Sequence, residues 1–223
     1  MLRLGRYLGL ALLFWASLGV AQDFQFKPAV SMADVTEKTL TDISRAGNRL
    51  VAVGERGLVI YSDDDGASWT QADVPVSATL TAVDFPTPEL GWAVGHAGTI
   101  IHSADGGTSW SLQFDGNEAN RQWLAKVTRQ REALEARVQA LQDAGATAEP
   151  DGEDGEPGKS LADLEYDLED AIFNEEDAQG AIETGPADPM LDVMFTSASK
   201  GWAVGAYGMI YHTTNAGTDW QLA

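Results

Sequence analysis

The chain contains no cysteine and few basic residues. Without cysteine it can form no disulfide, no thiolate metal site, no thiol nucleophile and no lipid anchor through that residue. Lysine and arginine together number 14 against 34 acidic residues, so the formal net charge is −20. This charge repels nucleic-acid phosphates, and no basic cluster suits an anionic lipid surface. The composition therefore excludes nucleic-acid binding and cysteine chemistry.

Long hydrophobic runs are also scarce, and the longest lies at the N-terminus. Its apolar stretch, residues 7–20, is shorter than the roughly 20 residues that a membrane-spanning helix needs. Arg3 and Arg6 precede it, and small residues ending at Ala21 follow. This pattern predicts a secretory signal peptide at residues 1–21, with an uncleaved anchor as the alternative. We expect export to the periplasm, or to the thylakoid lumen if the source is photosynthetic.

Three stretches of the chain repeat one pattern. They run over residues 40–69, 80–110 and 191–220, and each ends in tryptophan. The first two tryptophans are 41 residues apart, and the third copy keeps the pattern after 69 additional residues. A period near 40 made of short alternating apolar runs predicts β-propeller blades of four strands each. The predicted strands of the second copy are Leu80–Phe85, Gly91–Gly95, Thr99–Ser103 and Ser109–Phe114.

Each copy closes with the pattern Ser/Thr-x-Asp/Asn-x-Gly-x-x-Trp, or Asp box. Asp or Asn can accept hydrogen bonds from backbone N–H groups of a turn, Gly takes a backbone shape that other residues resist, and Trp buries a large ring. The third copy has Asn in place of Asp, a change that a reaction centre would not tolerate. We therefore predict a structural role for twelve residues: Ser62, Asp64, Gly66, Trp69, Ser103, Asp105, Gly107, Trp110, Thr213, Asn215, Gly217 and Trp220.

The phrase GWAVG-x-x-G-x-I followed by an Asp box resembles the photosystem II assembly and stability factor family, of BNR repeats, and its bacterial relatives. The resemblance covers roughly 100 residues in three pieces. It implies an all-β, exported propeller that binds a membrane protein complex, without a reaction or a cofactor.

The blade number departs from that family, whose propellers have about seven blades. Three copies cannot close a ring, and residues 23–36 have room for only one further strand. We expect an incomplete propeller and a chain that is a fragment; self-association and degenerate blades are the alternatives.

An acidic insertion at residues 117–189 separates blades 1 and 2 (residues 22–116) from blade 3 (residues 190–223). It holds 19 acidic and six basic residues. Apolar residues at helical spacing predict helices over residues 117–144 and 160–180, joined by a flexible loop into an antiparallel coiled-coil hairpin. Gly145 is the predicted stop of the first helix; Ser160 with Asp163 caps the second, and Gly180 then Pro186 end it. The predicted stripes are Trp123, Val127, Leu134, Val138 and Leu141, and Leu161, Leu164, Leu168 and Ile172.

Two interpretations of the hairpin stay open. Its stripes can simply pack on each other while the acids are solvated, or it can be a docking arm for a partner. In the second case Trp123, Tyr166 and Phe173 are the candidate partner contacts.

Catalytic and metal-binding alternatives have little support. Asp boxes also occur in sialidases, but the arginines after the predicted signal peptide are confined to the first repeat and the insertion, so no cluster can hold a substrate carboxylate. His102 and His212 occupy the position of Tyr61, which favours packing over metal binding, and His96 stands alone in a loop. The acidic run 63–65 lacks the spacing of a calcium loop, and the acidic loop 151–156 offers at most weak, nonspecific binding.

We predict a non-catalytic exported scaffold that binds a membrane protein complex and assists its assembly or stability. An accessory role at an envelope transporter is the first alternative, and a glycan hydrolase is a remote second. No cofactor, small-molecule substrate or metal is expected.

Overall fold

The computed structural model describes residues 26–150 and 157–223. The predicted signal peptide at residues 1–21 and the acidic loop at residues 151–156 lie outside the described residues. No helix within the described ranges has both the length and the apolar character needed to cross a membrane.

Within the described residues, twelve strands form three separate four-stranded antiparallel sheets. In each sheet the strands are hydrogen-bonded in chain order, so each sheet is one blade. Blade 1 is β1 (Leu40–Ala46), β2 (Arg49–Gly54), β3 (Val59–Ser62) and β4 (Thr70–Gln71). Blade 2 is β5 (Leu80–Asp84), β6 (Gly91–Gly95), β7 (Ile100–Ser103) and β8 (Ser111–Phe114). Blade 3 is β9 (Met190–Phe195), β10 (Gly201–Gly205), β11 (Ile210–Thr213) and β12 (Gln221–Leu222). The predicted fold class, all-β propeller blades with an inserted helical hairpin, is confirmed.

The blades stack face to face, because alternate residues of a strand point to opposite sides of its sheet. One apolar core lies between blades 1 and 2 and includes Val51, Val83 and Ile101. A second lies between blades 2 and 3 and includes Trp92 and Tyr211. Blade 2 is therefore buried on both faces, and this explains why all five residues of its strand β6 are buried.

Two close approaches explain both glycines of the repeated phrase GWAVG. A Cβ on Gly91 would lie 2.3 Å from the ring of Phe85, and a Cβ on Gly95 would lie 2.2 Å from the carbonyl oxygen of Thr79. The first glycine leaves room for the aromatic ring at the end of the inner strand. The second leaves room for the chain that enters the blade.

Blade 1 replaces both residues of the aromatic–glycine pair that Phe85 and Gly91 form in blade 2. Phe195 pairs with Gly201 across β9 and β10, whereas Arg45 pairs with Leu50 at the same place in blade 1. Because blade 1 has no aromatic ring at position 45, it needs no glycine at the opposite position 50. The coupled change shows that glycine at this position serves side-chain packing.

The outer face of blade 1 is covered by the chain that precedes it. Met32 and Val35 pack against Ala52 and Ile60, and the backbone N–H of Met32 donates to the side-chain oxygen of Gln71 at 2.8 Å. Residues 26–39 form no strand, and a 3-10 turn lies at residues 35–37. This segment therefore covers the outer face of blade 1 and does not add a further strand.

The described part of the insertion contains two helices, α1 (Gly116–Ala144) and α2 (Leu161–Thr184). Helix α1 ends as predicted, since Gly145 takes the left-handed conformation with φ of 63°. Helix α2 begins as predicted, since the hydroxyl of Ser160 accepts from the backbone N–H of Asp163. The predicted end at Gly180 is wrong: the helix continues for four residues to Thr184.

The two helices pack antiparallel. The amide of Asn120 donates to the carbonyl of Ala181 at 2.9 Å, and the hydroxyl of Thr128 donates to Glu175 at 2.6 Å. Leu164, at the far end of the hairpin, is fully buried. Ala171 and Ala178 continue that buried stripe, whereas the predicted stripe member Ile172 is 42% exposed. Residue 172 is one position, or 100° around the helix, away from the buried stripe.

Replacing Gly180 with alanine is expected to stabilise the protein by about 0.5–1 kcal/mol, because glycine inside a helix loses more backbone freedom on folding than alanine. A Cβ at this position meets no atom within 4 Å, so nothing opposes the gain. Chemical denaturation followed by circular dichroism measures the difference. Gly145→Ala is the matched control: it also meets open space but has a positive φ, and it should destabilise. A lower stability of Gly180→Ala would contradict the helical assignment.

Candidate partner-binding surface

The first two Asp boxes form nearly identical hydrogen-bonded turns. In blade 1 the hydroxyl of Ser62 donates to Asp64 and accepts from the backbone N–H of Gly66, both at 2.8 Å. The other carboxylate oxygen of Asp64 accepts from the Ser68 hydroxyl at 2.6 Å, and the indole N–H of Trp69 donates to Gly66 at 3.1 Å. The hydrogen bonds from Ser68 and Ser62 lower the pKa of Asp64 to about 2. In blade 2 Ser103, Asp105, Gly107, Ser109 and Trp110 repeat these contacts.

The third Asp box reverses one of these hydrogen bonds. The oxygen of Asn215 accepts from the hydroxyl of Thr213 at 2.9 Å and from the backbone N–H of Asp219 at 3.0 Å. Its amide N–H then donates to the carboxylate of Asp219 at 2.9 Å. Asp219 stands where the other boxes have serine, so donor and acceptor have exchanged places. In this box the indole nitrogen of Trp220 is buried without a hydrogen-bond partner among the described residues, and a Cβ on Gly217 would lie 2.0 Å from the side-chain oxygen of Gln113.

Asn215→Asp is expected to destabilise the protein by about 1–2 kcal/mol at pH 7, because it exchanges a hydrogen bond for two facing carboxylates. The double variant Asn215→Asp with Asp219→Ser recreates the first two boxes and should recover most of the loss. Urea denaturation of the four proteins of this double-mutant cycle gives the coupling energy. Additive effects of the two changes would show that the exchange is not coupled.

The acidic run at residues 63–65 does not converge on one point. Asp63 receives two hydrogen bonds from Arg49, Asp64 lies inside its Asp box, and Asp65 pairs with Arg45 at 3.2 Å. Arg49 also donates to the hydroxyl of Thr108 at 2.7 Å and so ties the first Asp box to the second. Each carboxylate thus has a separate structural partner. Among the residues of ranges 26–150 and 157–223, no group of three His, Asp or Glu is placed to hold a metal ion.

The histidines at the repeat position of Tyr61 lie against aromatic rings or strands. His102 packs on Trp92 with ring centroids 4.7 Å apart, and burial lowers its pKa. His212 pairs with Trp202 across β10 and β11. His96 is exposed in the turn after β6. The three side chains lie in separate places, which agrees with packing positions for the first two.

The base of the hairpin covers the open edge of blade 3. The side chain of Gln122 donates to the carbonyl of Trp220 at 2.8 Å and accepts from the backbone N–H of Leu222 at 3.0 Å. Lys126, one turn further along α1, donates to the carbonyl of Ala223 at 3.0 Å. A helix side chain thus takes the place of a neighbouring strand at β12. Side-chain hydrogen bonds from α1 therefore attach the base of the hairpin to blade 3.

A cavity of about 440 Å³ lies between the hairpin base and blade 3. Trp123, Lys126, Tyr207, Met209 and Leu222 line it among others, and its walls are mainly apolar. The structure thus places Trp123, a predicted contact residue, in the lining of this cavity with 39% of its surface exposed. The cavity has the mixed apolar and polar lining of a ligand or peptide pocket.

The other two predicted contact residues lie on the outward face of α2. Tyr166 is 65% exposed and Phe173 is 68% exposed. Their spacing of seven residues puts them on one stripe, and both lie two positions beyond the buried residues Leu164 and Ala171. Two positions correspond to about 200° around a helix, so this stripe faces away from α1. The structure separates the predicted contacts into one residue at the base and two on the outer stripe.

Helix α2 carries nine acidic residues and no basic one. Part of this charge is matched by α1: Arg131 contacts Glu175, and hydrogen bonds from Thr128 and Arg131 lower the pKa of Glu175. Glu169 and Asp170, between the two exposed aromatic rings, point to solvent as exposed residues. The outward stripe is thus aromatic with acidic flanks.

Sequence reasoning did not single out Gln122 or Tyr207. Gln122 is a good helix former, so its presence in a helix did not mark it as a contact residue. Its role depends on the edge of β12 beside it in the folded chain. Tyr207 is 91% exposed and has a positive φ of 52°. Arg56 takes the same conformation at the same place in blade 1, so comparison of the repeats could have marked this turn.

Comparison with known proteins supports the resemblance to one family. The family model "Photosynthesis system II assembly factor YCF48" matches residues 67–133. A solved structure of YCF48 bound to D1 peptide is 15% identical, with a TM-score of 0.47 over 88% of this chain and 46% of that chain. YCF48 from Cyanidioschyzon merolae is 18% identical, with a TM-score of 0.46 over 89% of this chain and 42% of that chain. This chain therefore spans less than half the length of both structures, and no curated protein sequence matches it. The family resemblance indicated by the repeats is confirmed over residues 67–133.

Proposed function

We propose that this chain is a non-catalytic scaffold that binds a membrane protein complex and assists its assembly or stability. The observation that carries the proposal is the match of an assembly-factor family model to residues 67–133. That segment includes the second Asp box, blade strand β8 and the first half of α1. The Asp boxes support a non-catalytic role, because the polar side chains of each box form their hydrogen bonds within the turn of that box.

The hairpin is the part of the chain proposed to contact the partner. Its outward stripe presents Tyr166 and Phe173, and large exposed aromatic side chains are typical anchors of protein interfaces. The acidic flanks of α2 favour a partner surface with basic side chains around an apolar patch. Photosystem II is the partner that the family description names; the inserted hairpin favours, as a second candidate, an accessory role at an envelope transporter.

We further propose that the chain works outside the cytoplasm, in the periplasm or, for a photosynthetic source, the thylakoid lumen. The basic and apolar pattern of residues 1–21 supports this. Intact-mass measurement of the protein from its native host should give a mature chain that begins at Gln22. A mass that includes residues 1–21 in a soluble cytoplasmic fraction would contradict the proposal.

The function is tested by a crosslinked pull-down from detergent-solubilised membranes of the native host. The truncated variant replaces residues 130–173 with a short Gly/Ser loop. This keeps the Gln122 contact with β12, and Thr128 and Glu175 are already hydrogen-bonded across the two helices, so a short loop can join them. The full chain should recover one membrane protein complex, and the truncated chain should lose it.

A point variant separates the aromatic stripe from the hairpin as a whole. Tyr166→Ser with Phe173→Ser should lower recovery about tenfold or more, as expected for interface anchors. Leu112→Ser is the matched control, because Leu112 is 39% exposed and belongs to β8 and not to the hairpin. Equal recovery by all variants would assign binding to the blades and refute the docking role of the hairpin. If neither the full chain nor any folded variant recovers a membrane protein, the scaffold function is refuted.

A further inference from the structure

The cavity at the base of the hairpin lies on the side of blade 3 that faces blade 2. Its blade wall includes Met209, Tyr211 and Leu222, and Tyr211 also belongs to the core between these two blades. The opposite wall comes from both helices, with Trp123 of α1 and Ala178 of α2. The volume of about 440 Å³ lies in the range of ligand pockets. The cavity therefore has room for apolar side chains.

In blade 1 the same strand positions are covered by a segment of the chain itself. The strand pairing of blades 1 and 3 gives three pairs of equivalent positions: Leu58 and Met209, Ile60 and Tyr211, and Gln71 and Leu222. Met32 and Val35 pack against the apolar cluster of these positions in blade 1. The amide of Gln71 donates to the carbonyl of Val30 at 3.0 Å and accepts from the backbone N–H of Met32 at 2.8 Å. A short peptide segment with two apolar side chains thus occupies this place in blade 1.

Charged groups at the cavity can bind the backbone of such a segment. Lys126 lines the cavity and uses one of its three N–H donors on the carbonyl of Ala223 at 3.0 Å. Asp177 and Asp188 also line it, and within the described residues their carboxylates have no hydrogen-bond or ion-pair partner. A peptide backbone presents both N–H donors and carbonyl acceptors, so one ammonium and two carboxylates complement it.

The repeat also indicates the path of the chain after the last strand of a blade. The backbone N–H of Ala72 donates to the carbonyl of Val59 after β4, and Ala223 makes the equivalent hydrogen bond after β12. In blade 1 the next apolar residue, Val74, packs in the core on the face opposite the cover. A chain that continues beyond Ala223 on this path is directed to the other face of blade 3, away from the cavity.

We propose that this cavity binds a peptide segment of a partner protein, with two apolar side chains spaced three residues apart like Met32 and Val35. The apolar walls take the two side chains, and the three charged groups bind the backbone beside them. The inference rests on the proposed function only in that a partner protein supplies the segment. The site itself is separate from the outward stripe of α2.

Methyl NMR of the purified full chain, labelled with carbon-13 at the methionine methyl groups, tests the proposal with two synthetic peptides. The probe peptide AVSMADV has the sequence of residues 29–35 with blocked ends, and the control peptide AVSSADS lacks both apolar side chains. The probe should shift the methyl signal of Met209, which lines the cavity, and leave that of Met194, which does not. The control peptide should bind at least tenfold more weakly, because it buries little apolar surface.

Two variants separate this site from the outward stripe. Trp123→Ser removes part of the helix wall and should weaken binding of the probe about tenfold or more. Tyr166→Ser with Phe173→Ser leaves the cavity lining intact and should bind the probe like the unchanged chain. Circular dichroism checks that both variants fold. If the cavity binds the probe while the membrane pull-down recovers nothing, the scaffold function fails and the peptide site stands.

Three results would overturn the proposal. The first is an unchanged Met209 signal up to about 5 mM probe, or equal binding of the probe and the control peptide. The second is a shift of Met32 without a shift of Met209, which would place the probe on blade 1 in exchange for the cover. The third is a shift of Met209 by 1-hexanol and none by the probe, which would assign the cavity to a small apolar molecule.

Discussion

Trp92→Ala is expected to lower the free energy of unfolding by about 3–5 kcal/mol, the cost of removing a large ring from a close-packed core. Trp92 is fully buried and stacks on Phe195 with ring centroids 3.6 Å apart. Its indole N–H donates to Gln113 at 2.9 Å, and Gln113 donates in turn to the carbonyl of Ala216 at 3.0 Å. One side chain thus fills the space between blades 2 and 3 and holds the amide that joins them.

Trp202→Ala is the matched control for this prediction. Trp202 occupies the same position of the repeated phrase but is partly exposed on the far face of blade 3. Its removal should cost less than the removal of Trp92, because part of the Trp202 side chain stays exposed to solvent. Urea denaturation at a low protein concentration compares the two variants. Equal losses for Trp92→Ala and Trp202→Ala would show that the stacking of blade 3 on blade 2 contributes little to stability.

This pair also marks what the sequence can and cannot predict. The repeat gives the strand for both tryptophans, and β6 begins and ends at the predicted residues, Gly91 and Gly95. Burial of the two rings differs because blade 3 covers one of them, and that cover depends on distant chain. A local sequence pattern does not contain such long-range contacts, so the difference in burial between Trp92 and Trp202 could not be predicted.

The helical insertion also has features that the sequence predicts and a feature that depends on tertiary contacts. Spacing of apolar residues predicted both helices and the cap at Ser160, because these features depend on neighbours within one or two turns. Gly180 was predicted to end α2, yet the packing of Ala178 on α1 and the bond from Asn120 to Ala181 carry the helix through it. Tertiary contacts here outweigh a local propensity cost of about 1 kcal/mol.

The candidate binding surface was only partly accessible from the sequence. Exposed aromatic residues in an acidic helix could be recognised, and Tyr166 and Phe173 lie on the outward stripe. The cavity at the hairpin base needs α1, the β10–β11 turn and β12 together, and Trp123 of α1 precedes Tyr207 of that turn by 84 residues in the chain. Only the folded chain brings Trp123 and Tyr207 together in the lining of one cavity.

Gly95→Ala is expected to cost about 3 kcal/mol or more, near the upper end for overpacking, because the obstacle is backbone and cannot rotate away. The new Cβ would lie 2.2 Å from the carbonyl oxygen of Thr79 and 2.8 Å from the Cα of Leu80. Relief of the clash requires moving the start of β5, and with it the hydrogen bond from the backbone N–H of His96 to Thr79 at 2.8 Å. A loss of this size is a large part of the stability of an ordinary domain.

The three copies of the phrase supply a graded series for this prediction. Gly54→Ala should cost as much as Gly95→Ala, since its Cβ would lie 2.1 Å from the carbonyl oxygen of Thr39. Gly205→Ala should cost less, because its nearest atom, at 2.7 Å, is the flexible methyl end of Met209, and the carbonyl oxygen of Pro189 is at 2.8 Å. Denaturation midpoints of the three variants give the order. If Gly205→Ala is as damaging as the other two, backbone crowding is not what requires glycine at the end of the repeated phrase.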